Sequence, residues 1–159
     1  MRELLPHAER VAALLKARSE TIAIAESTTG GLIAAALLAV PGASAYFLGS
    51  DVLYTRKAWR TLRDYNDDLF GETKSVTEPN ALIRARFIRK SFGADWGVGE
   101  TGAAGPAGNK YGNPAGATCF AVAGRVESAR SLMTGSSDRI ANMHAFAAAT
   151  LVLLAECLA

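Results

Sequence analysis

The sequence has little cysteine, little net charge and no long apolar run. Its two cysteines, Cys119 and Cys157, stand in apolar surroundings without CxxC spacing. This pattern is typical of buried small side chains in a reducing compartment, and it excludes a disulfide framework or a zinc site. Half of the residues are apolar and a fifth are charged. That composition excludes a disordered or collagen-like chain.

The charge balance and the apolar runs exclude two further classes of protein. Seventeen Lys and Arg against fifteen Asp and Glu leave a formal charge of +2, without the excess of a dedicated nucleic-acid binder. The first sixteen residues alternate charged and apolar side chains, unlike a signal peptide. The apolar runs 32–41 and 145–155 are too short to span a bilayer. We therefore expect one cytoplasmic domain over 1–159, with neither a nucleic-acid nor a membrane partner.

Hydrophobic periodicity predicts alternating helices and strands. Helices are predicted over 3–18, 32–40, 56–62, 78–91 and 138–157, and strands over 21–25, 45–54, 94–99, 116–123 and 126–133. Thr77 and Pro79 form a typical start for the helix at 78. This order predicts an α/β fold, a three-layer α/β/α sandwich around a mixed β-sheet.

Two loops that follow predicted strands carry small polar residues and glycines. The first covers 25–31 (AESTTGG) and the second covers 101–108 (TGAAGPAG). Ligands of open α/β sheets bind at the carboxyl ends of strands, and glycines let backbone N–H groups approach an anion. A simple helix start explains the first loop equally well, and a plain connection explains the second. Neither loop matches the P-loop or the G-x-G-x-x-G pattern.

The remaining residues with reactive or charged side chains are interpreted as structural or solvent-facing rather than as site residues. His7 and His144 have no acidic or cysteine partner at the spacing that a metal site requires. Trp59 and Trp96 are interpreted as core or interface residues. The basic residues of the helix at 78–91 are predicted to form a solvated face: Arg84, Arg86, Arg89 and Lys90.

Taken together, the two loops resemble those of the CinA C-terminal domain family. AESTTGG is similar to that family's AESCTGG, and residues 100–108 are similar to its S/T-G-x-A-G-P-x-G loop. Residues 50–54 match the G-x-V-x-Y segment, 76–79 match the V-S-E-P helix start, and 114–117 match the P-V-G-T strand start. The resemblance extends over nearly the whole chain.

The resemblance implies an activity and a set of site residues. Members of the family deamidate nicotinamide mononucleotide to nicotinate mononucleotide and ammonia, as metal-independent serine amidohydrolases without a cofactor. It implies Ser27 as the nucleophile, with Tyr54 and Thr101 in the catalytic site. Backbone N–H groups of the two loops would hold the oxyanion and the 5′-phosphate, and Arg139 would bind substrate. The loop positions concerned are Thr28, Thr29, Gly30, Gly31, Gly102 and Gly105.

The chain departs from the family pattern at the catalytic base. The family's lysine stands five residues after the tyrosine, and that position is Trp59 here. An indole N–H donates only and takes no proton from Ser27. In an extended segment Lys57 would share a face with Trp59 and could reach inward. In a helix the two would point about 200° apart, and Lys57 could not substitute for the family's lysine. A second departure places Met143 at the last arginine of the family's G-D-R-x-x-V-R stretch.

Two functions therefore stay open from the sequence. One is an active amidohydrolase with Lys57 as a displaced base, and the other is a catalytically impaired relative that binds a pyridine nucleotide or a protein partner. The loss of a general base typically costs about 10²–10⁴ in rate. Assembly is open as well, because the alanine-rich last helix suits either a homodimer or burial against the sheet.

Overall fold

The computed structural model describes all residues from Met1 to Ala159. The helices are α1 (Leu5–Arg18), α2 (Leu32–Leu38), α3 (Arg56–Trp59), α4 (Glu78–Phe92) and α5 (Arg139–Leu158). The strands are β1 (Ile22–Glu26), β2 (Phe47–Val52), β3 (Trp96–Ala103), β4 (Ala117–Ala123) and β5 (Glu127–Met133). A short 3₁₀ turn covers Ala43–Ala45. The predicted order of helices and strands is confirmed.

The five strands form one mixed sheet in the order β2-β1-β3-β4-β5. Strand β1 runs parallel to β2 and β3, whereas β4 is antiparallel to both β3 and β5. Helix α4 packs on one face of the sheet, and α1, α2 and α5 pack together on the other. The three-layer α/β/α sandwich is therefore confirmed.

Helix α4 begins and ends as its sequence predicts. The Thr77 hydroxyl accepts a hydrogen bond from the Asn80 N–H, Pro79 occupies the first turn, and Gly93 ends the helix with a φ of 62°. Two glycines of β3 allow this helix to approach the sheet closely. A Cβ atom on Gly97 or Gly99 would lie 2.0 Å or 2.2 Å from a carbonyl oxygen of α4. These glycines therefore fix where the side chains of α4 sit relative to the end of β3.

Strand β3 is longer than predicted. It continues through Ala103, because Thr101, Gly102 and Ala103 pair with Cys119, Thr118 and Ala117 of β4. The first residues of the predicted glycine-rich loop therefore belong to the sheet, and pairing with β4 fixes their backbone.

Helix α5 has 20 residues and is long and apolar enough to cross a membrane by length and composition. Length and composition alone are weak evidence for a membrane span, because a mostly buried core helix passes the same test. The apolar side of α5 packs against α1 and the sheet, and Phe146, Leu151 and Leu154 are fully buried there. Burial of the helix is thus observed, and a homodimer stays a prediction.

Candidate functional site

A cleft of about 740 Å³ opens at the carboxyl ends of β1 and β3. Its wall is formed by Ser27, by residues 54–57 and Trp59, by the connection 71–76, by Thr101 and Gly102, and by 109–111. Arg84 of α4 also contributes to the wall. The volume falls in the range of small-molecule sites in proteins. The position matches the general rule for ligands of open α/β sheets.

Ser27 lies at the floor of this cleft, on the turn that follows β1. Its side chain is largely buried, and its hydroxyl makes no hydrogen bond to another group of the protein. Strand β1 is buried along its whole length, so it provides a rigid support for the turn. An unengaged hydroxyl on a rigid turn is free to meet a ligand in the cleft.

The carboxylate of Glu26 fills the N-terminus of α2. Its oxygens accept hydrogen bonds from the N–H groups of Gly31 (2.9 Å), Ile33 (3.2 Å) and Ala34 (2.8 Å). The Thr29 hydroxyl donates to the same carboxylate at 2.7 Å. Burial raises the pKa of Glu26, and these hydrogen bonds oppose that rise. The carboxyl group of Glu26 therefore already occupies the free N–H groups at the start of α2.

A second buried carboxylate, that of Glu100 on β3, holds the turn that carries Ser27. One of its oxygens accepts from the N–H groups of Ser27 at 3.0 Å and Thr29 at 3.1 Å. The other accepts from the Thr118 hydroxyl at 3.3 Å. Glu100 therefore links the turn after β1 to β4. Its hydrogen bonds also fix the backbone N–H groups of Ser27, the nucleophile candidate, and of Thr29. Sequence reasoning assigned no role to either glutamate.

These two carboxylates occupy N–H groups of the loop that was predicted to bind an anion. The N–H groups of Thr29 and Gly31 are bonded to Glu100 and Glu26, and that of Gly30 is bonded to the Ser27 carbonyl. Thr28 differs, because its buried hydroxyl has no hydrogen-bond partner. Substrate binding by these four residues stays a prediction. In this structure the N–H groups of Thr29, Gly30 and Gly31 already have partners.

The glycine-rich loop is held by side chains from α5. The buried Asn142 amide donates to the carbonyls of Ala104 and Ser136, both at 2.8 Å. Arg139 donates to the Gly105 carbonyl at 2.6 Å and to the Tyr54 hydroxyl at 3.3 Å. Arg139 therefore joins the glycine loop to the cleft wall, although neither it nor Gly105 lines the cleft.

Comparison with known proteins places this arrangement in a family. The family model described as the CinA C-terminal domain matches residues 5–158. The chain belongs to the CinA C-terminal domain family. A CinA-like protein of Anaeromyxobacter sp. (strain K) is 40% identical over 149 residues, which are 92% of this chain and 36% of that protein. A CinA-like protein of Synechococcus sp. (strain CC9902) is 41% identical over 70% of this chain and 27% of that protein.

Solved structures of the CinA superfamily share the whole fold. A competence-damaged protein (CinA) superfamily protein from Klebsiella pneumoniae superposes with a TM-score of 0.89 at 28% identity, covering 98% of this chain and 97% of that chain. A competence/damage inducible protein from Agrobacterium tumefaciens gives 0.87 at 27% identity, covering 98% and 94%. The chain thus spans nearly all of these structures but only 27–36% of the two curated relatives.

The position of the expected CinA-family lysine is occupied by a core tryptophan. Trp59 is 1% exposed and packs edge-on against Phe70 and Phe87. Its neighbour Lys57 is exposed and lines the cleft. Because residues 56–59 are helical, the extended geometry in which Lys57 would replace Trp59 on the same face is not present. Both residues line the cleft, Lys57 as an exposed side chain and Trp59 as a buried one.

The structure corrects one interpretation of α4. Arg86 and Lys90 are exposed as predicted, but Arg84 is only 7% exposed and lies in the cleft wall. Its guanidinium lies over the Trp59 ring, with the guanidinium carbon 5.1 Å from the ring centroid. Helical spacing places Arg84 on the same face as Ile88, four residues on, but the sequence does not show that its guanidinium lines the cleft.

Of the site residues predicted from the sequence, the cleft brings together five: Ser27, Tyr54, Lys57, Thr101 and Gly102. The Thr101 hydroxyl is buried and accepts from the Val76 N–H at 3.3 Å. Tyr54 is 60% exposed and reaches Arg139. Met143, at the position of the second family arginine, packs against Gly30: its terminal carbon would lie 3.1 Å from a Cβ atom there. A thioether side chain therefore lies beside the turn that carries Ser27.

Proposed function

We propose that the cleft binds nicotinamide mononucleotide and that Ser27 hydrolyses its amide to give nicotinate mononucleotide and ammonia. One observation carries this proposal: the unengaged Ser27 hydroxyl lies at the floor of a cationic cleft. The lining contains one acidic residue, Glu72, against five cations, Arg56, Lys57, Lys74, Arg84 and Lys110. Such a lining favours an anionic ligand. Membership of the CinA family supports the choice of substrate.

In the proposed reaction, the Ser27 oxygen attacks the amide carbonyl while its proton passes to a base. The carbon–nitrogen bond then breaks, and nitrogen leaves as ammonia after it takes up that proton. Water attacks the resulting ester, releases nicotinate mononucleotide and returns a proton to Ser27. Lys57 is the proposed base because its amine lines the same cleft, although the helical turn 56–59 does not place it on the face of Trp59. Tyr54 and Thr101 line the same cleft and would orient the substrate. The proposed reaction uses no metal and no cofactor, and we propose that it takes place in the cytoplasm.

A second function is favoured by Trp59. A buried indole at the expected lysine position accepts no proton, and Lys57 makes no hydrogen bond to Ser27 in this structure. The alternative proposal is therefore a domain that binds the nucleotide without turnover. The two proposals share the cleft and differ only in the fate of the amide.

The deciding experiment measures ammonia release from nicotinamide mononucleotide, with nucleotide binding followed in parallel by calorimetry. The proteins are the unmodified chain, Ser27→Ala, Lys57→Ala and, as a control on the exposed side of α4, Lys90→Ala. The amidohydrolase predicts release that is lost in S27A and K57A and kept in K90A. Binding without release, even at high protein concentration, supports the second function. Absence of both binding and release would overturn both.

A further inference from the structure

Arg84 is a buried cation that makes no direct ion pair or hydrogen bond with a carboxylate. None of the four ion pairs in the chain includes it. Its Nε–H donates to the Asn80 side-chain oxygen at 2.8 Å, and one terminal nitrogen makes a long contact of 3.5 Å to the Leu53 carbonyl. A guanidinium has five N–H donors, so most of its donor capacity is unused. Burial lowers the pKa of Arg84 to about 10, which still leaves it charged near neutral pH.

A second arginine of the cleft wall, Arg56, contacts the same aromatic ring as Arg84. The guanidinium carbons of Arg56 and Arg84 lie 4.7 Å and 5.6 Å from the centroid of the same Phe70 ring. Burial lowers the pKa of Arg84, the negative charge of the buried Glu100 opposes this lowering, and the positive charge of Arg56 adds a smaller lowering. Arg56 is exposed, so solvent screens part of the repulsion between the two cations, and an anion bound by both would relieve the rest.

Two further polar groups of the residues that line the cleft lack hydrogen-bond partners. The Trp59 indole Nε1–H and the Ser75 hydroxyl are buried without a hydrogen bond, and both residues line the cleft. An indole N–H can only donate. Buried donors without partners are uncommon in folded proteins and call for an acceptor. Together with the two guanidinium groups, they form a set of donors contributed by α3, α4 and the connection before α4.

We propose that Arg84, with Arg56 and the Trp59 indole N–H, binds the phosphomonoester group of the ligand. A phosphomonoester carries a charge of roughly −1.5 to −2 at neutral pH and three strong acceptor oxygens. It therefore suits two cations and further donors better than a carboxylate does. Applied to nicotinamide mononucleotide, the inference rests on the proposed function, and it moves the 5′-phosphate from the glycine loops to the arginine pair.

The test uses Ser27→Ala protein, so that no turnover interferes with binding. Calorimetry compares nicotinamide mononucleotide with nicotinamide riboside, which lacks only the phosphate. We expect tighter binding of the nucleotide, and we expect an added Arg84→Met substitution to remove that preference, a loss of roughly 10–100-fold in nucleotide affinity. Arg86→Met on the same helix is the matched control, because Arg86 pairs with Glu127 at the surface and should leave the preference unchanged.

Stability separates this role from a structural one. R84M removes a buried charge but also the hydrogen bond to Asn80. A binding role therefore predicts loss of the phosphate preference in a variant that still unfolds cooperatively, whereas a purely structural role predicts a lower thermal midpoint with the preference kept. Where R84M does not fold, Arg84→Lys, which keeps the charge, and Arg56→Gln provide the comparison. We expect R84K to keep part of the phosphate preference and R56Q to weaken it. The same phosphate preference with and without Arg84 and Arg56 would overturn the proposal.

Inorganic phosphate distinguishes the failure of this inference from that of the proposed function. It should bind the Arg84-containing protein and lose affinity in R84M, whether or not the protein hydrolyses any amide. Phosphate binding that depends on Arg84, without binding of the nucleotide, would retain the anion site and reject the proposed substrate. Acetate at the same concentration tests for a carboxylate site, and equal binding of acetate and phosphate would overturn the assignment to a phosphomonoester.

Discussion

The carboxylates of Glu26 and Glu100 meet at one hydroxyl group. The Thr29 side-chain oxygen lies 2.7 Å from an oxygen of Glu26 and 3.1 Å from an oxygen of Glu100. A hydroxyl carries a single proton, so it donates to only one carboxylate at a time. Both glutamates are fully buried, and the charge of Glu100 contributes to the raised pKa of Glu26. The turn that carries Ser27 is thus held by two carboxyl groups, those of Glu26 and Glu100, that share the single hydroxyl donor of Thr29.

We expect Thr29→Val to lower the free energy of unfolding by about 1–3 kcal/mol, because it leaves buried carboxylate oxygens without their hydroxyl donor. Urea unfolding measures the change. Thr150→Val is the control, since the buried Thr150 hydroxyl only donates to the Phe146 carbonyl of its own helix. Equal losses for the two variants would contradict a special role for Thr29.

The raised pKa of Glu26 predicts how stability changes with pH. An acid with a pKa above its ordinary value of 4.5 binds its proton more tightly in the folded chain. Its contribution to the free energy of unfolding is therefore fully present below that ordinary value and is lost as the pH rises through the raised pKa. Urea unfolding from about pH 4.5 to about pH 8 should show this decline.

Glu26→Gln tests the assignment of this decline, because the amide does not titrate. We expect a shallower fall of stability with rising pH in this variant than in the unmodified chain. Glu9→Gln, on the exposed side of α1, controls for the loss of one carboxylate. A decline in E26Q as steep as that of the unmodified chain would show that another group is responsible.

Asn142 is predicted to hold the glycine-rich loop. We expect Asn142→Ala to lower the free energy of unfolding by at least about 2 kcal/mol, because it leaves the carbonyls of Ala104 and Ser136 without their donor. Urea unfolding gives the stability, and calorimetry gives the nucleotide affinity, which should fall as the loop loosens. Asn66→Ala in an exposed turn is the control. A stable N142A variant with full affinity would refute this role.

Lys57 and Trp59 should affect different properties of the protein. Trp59→Ala removes a buried side chain from the contacts with Phe70 and Phe87, and we expect a loss of about 3–5 kcal/mol in the free energy of unfolding. Lys57→Ala, at an exposed position, should change stability by less than about 0.5 kcal/mol. Urea unfolding of both variants checks the expectation. Similar losses would mean that Lys57 has a packing role that its exposure does not show.

The sequence predicted the fold well because its periodic segments coincide with buried faces. The run Ile22–Glu26 reads as a core strand and is one, and Thr77 with Pro79 marks the start of α4. The site was harder to predict, because its chemistry depends on which polar residues are buried. The amino-acid sequence alone does not show that the Glu100 carboxylate accepts from the N–H of Ser27. It also does not show that Arg84 faces the cleft rather than solvent. Both facts depend on packing between distant segments.

The carboxylate at the start of α2 has a further consequence for how ligand preference can change. Main-chain N–H groups are the same whatever the residue, so a binding site made from them persists through mutation. Here those groups of the first turn of α2 are engaged by Glu26, and the cations that face the cleft are side chains. A single codon change at one of these positions can therefore alter the preferred charge of the ligand while the backbone stays intact, so related chains can acquire new substrates on an unchanged scaffold.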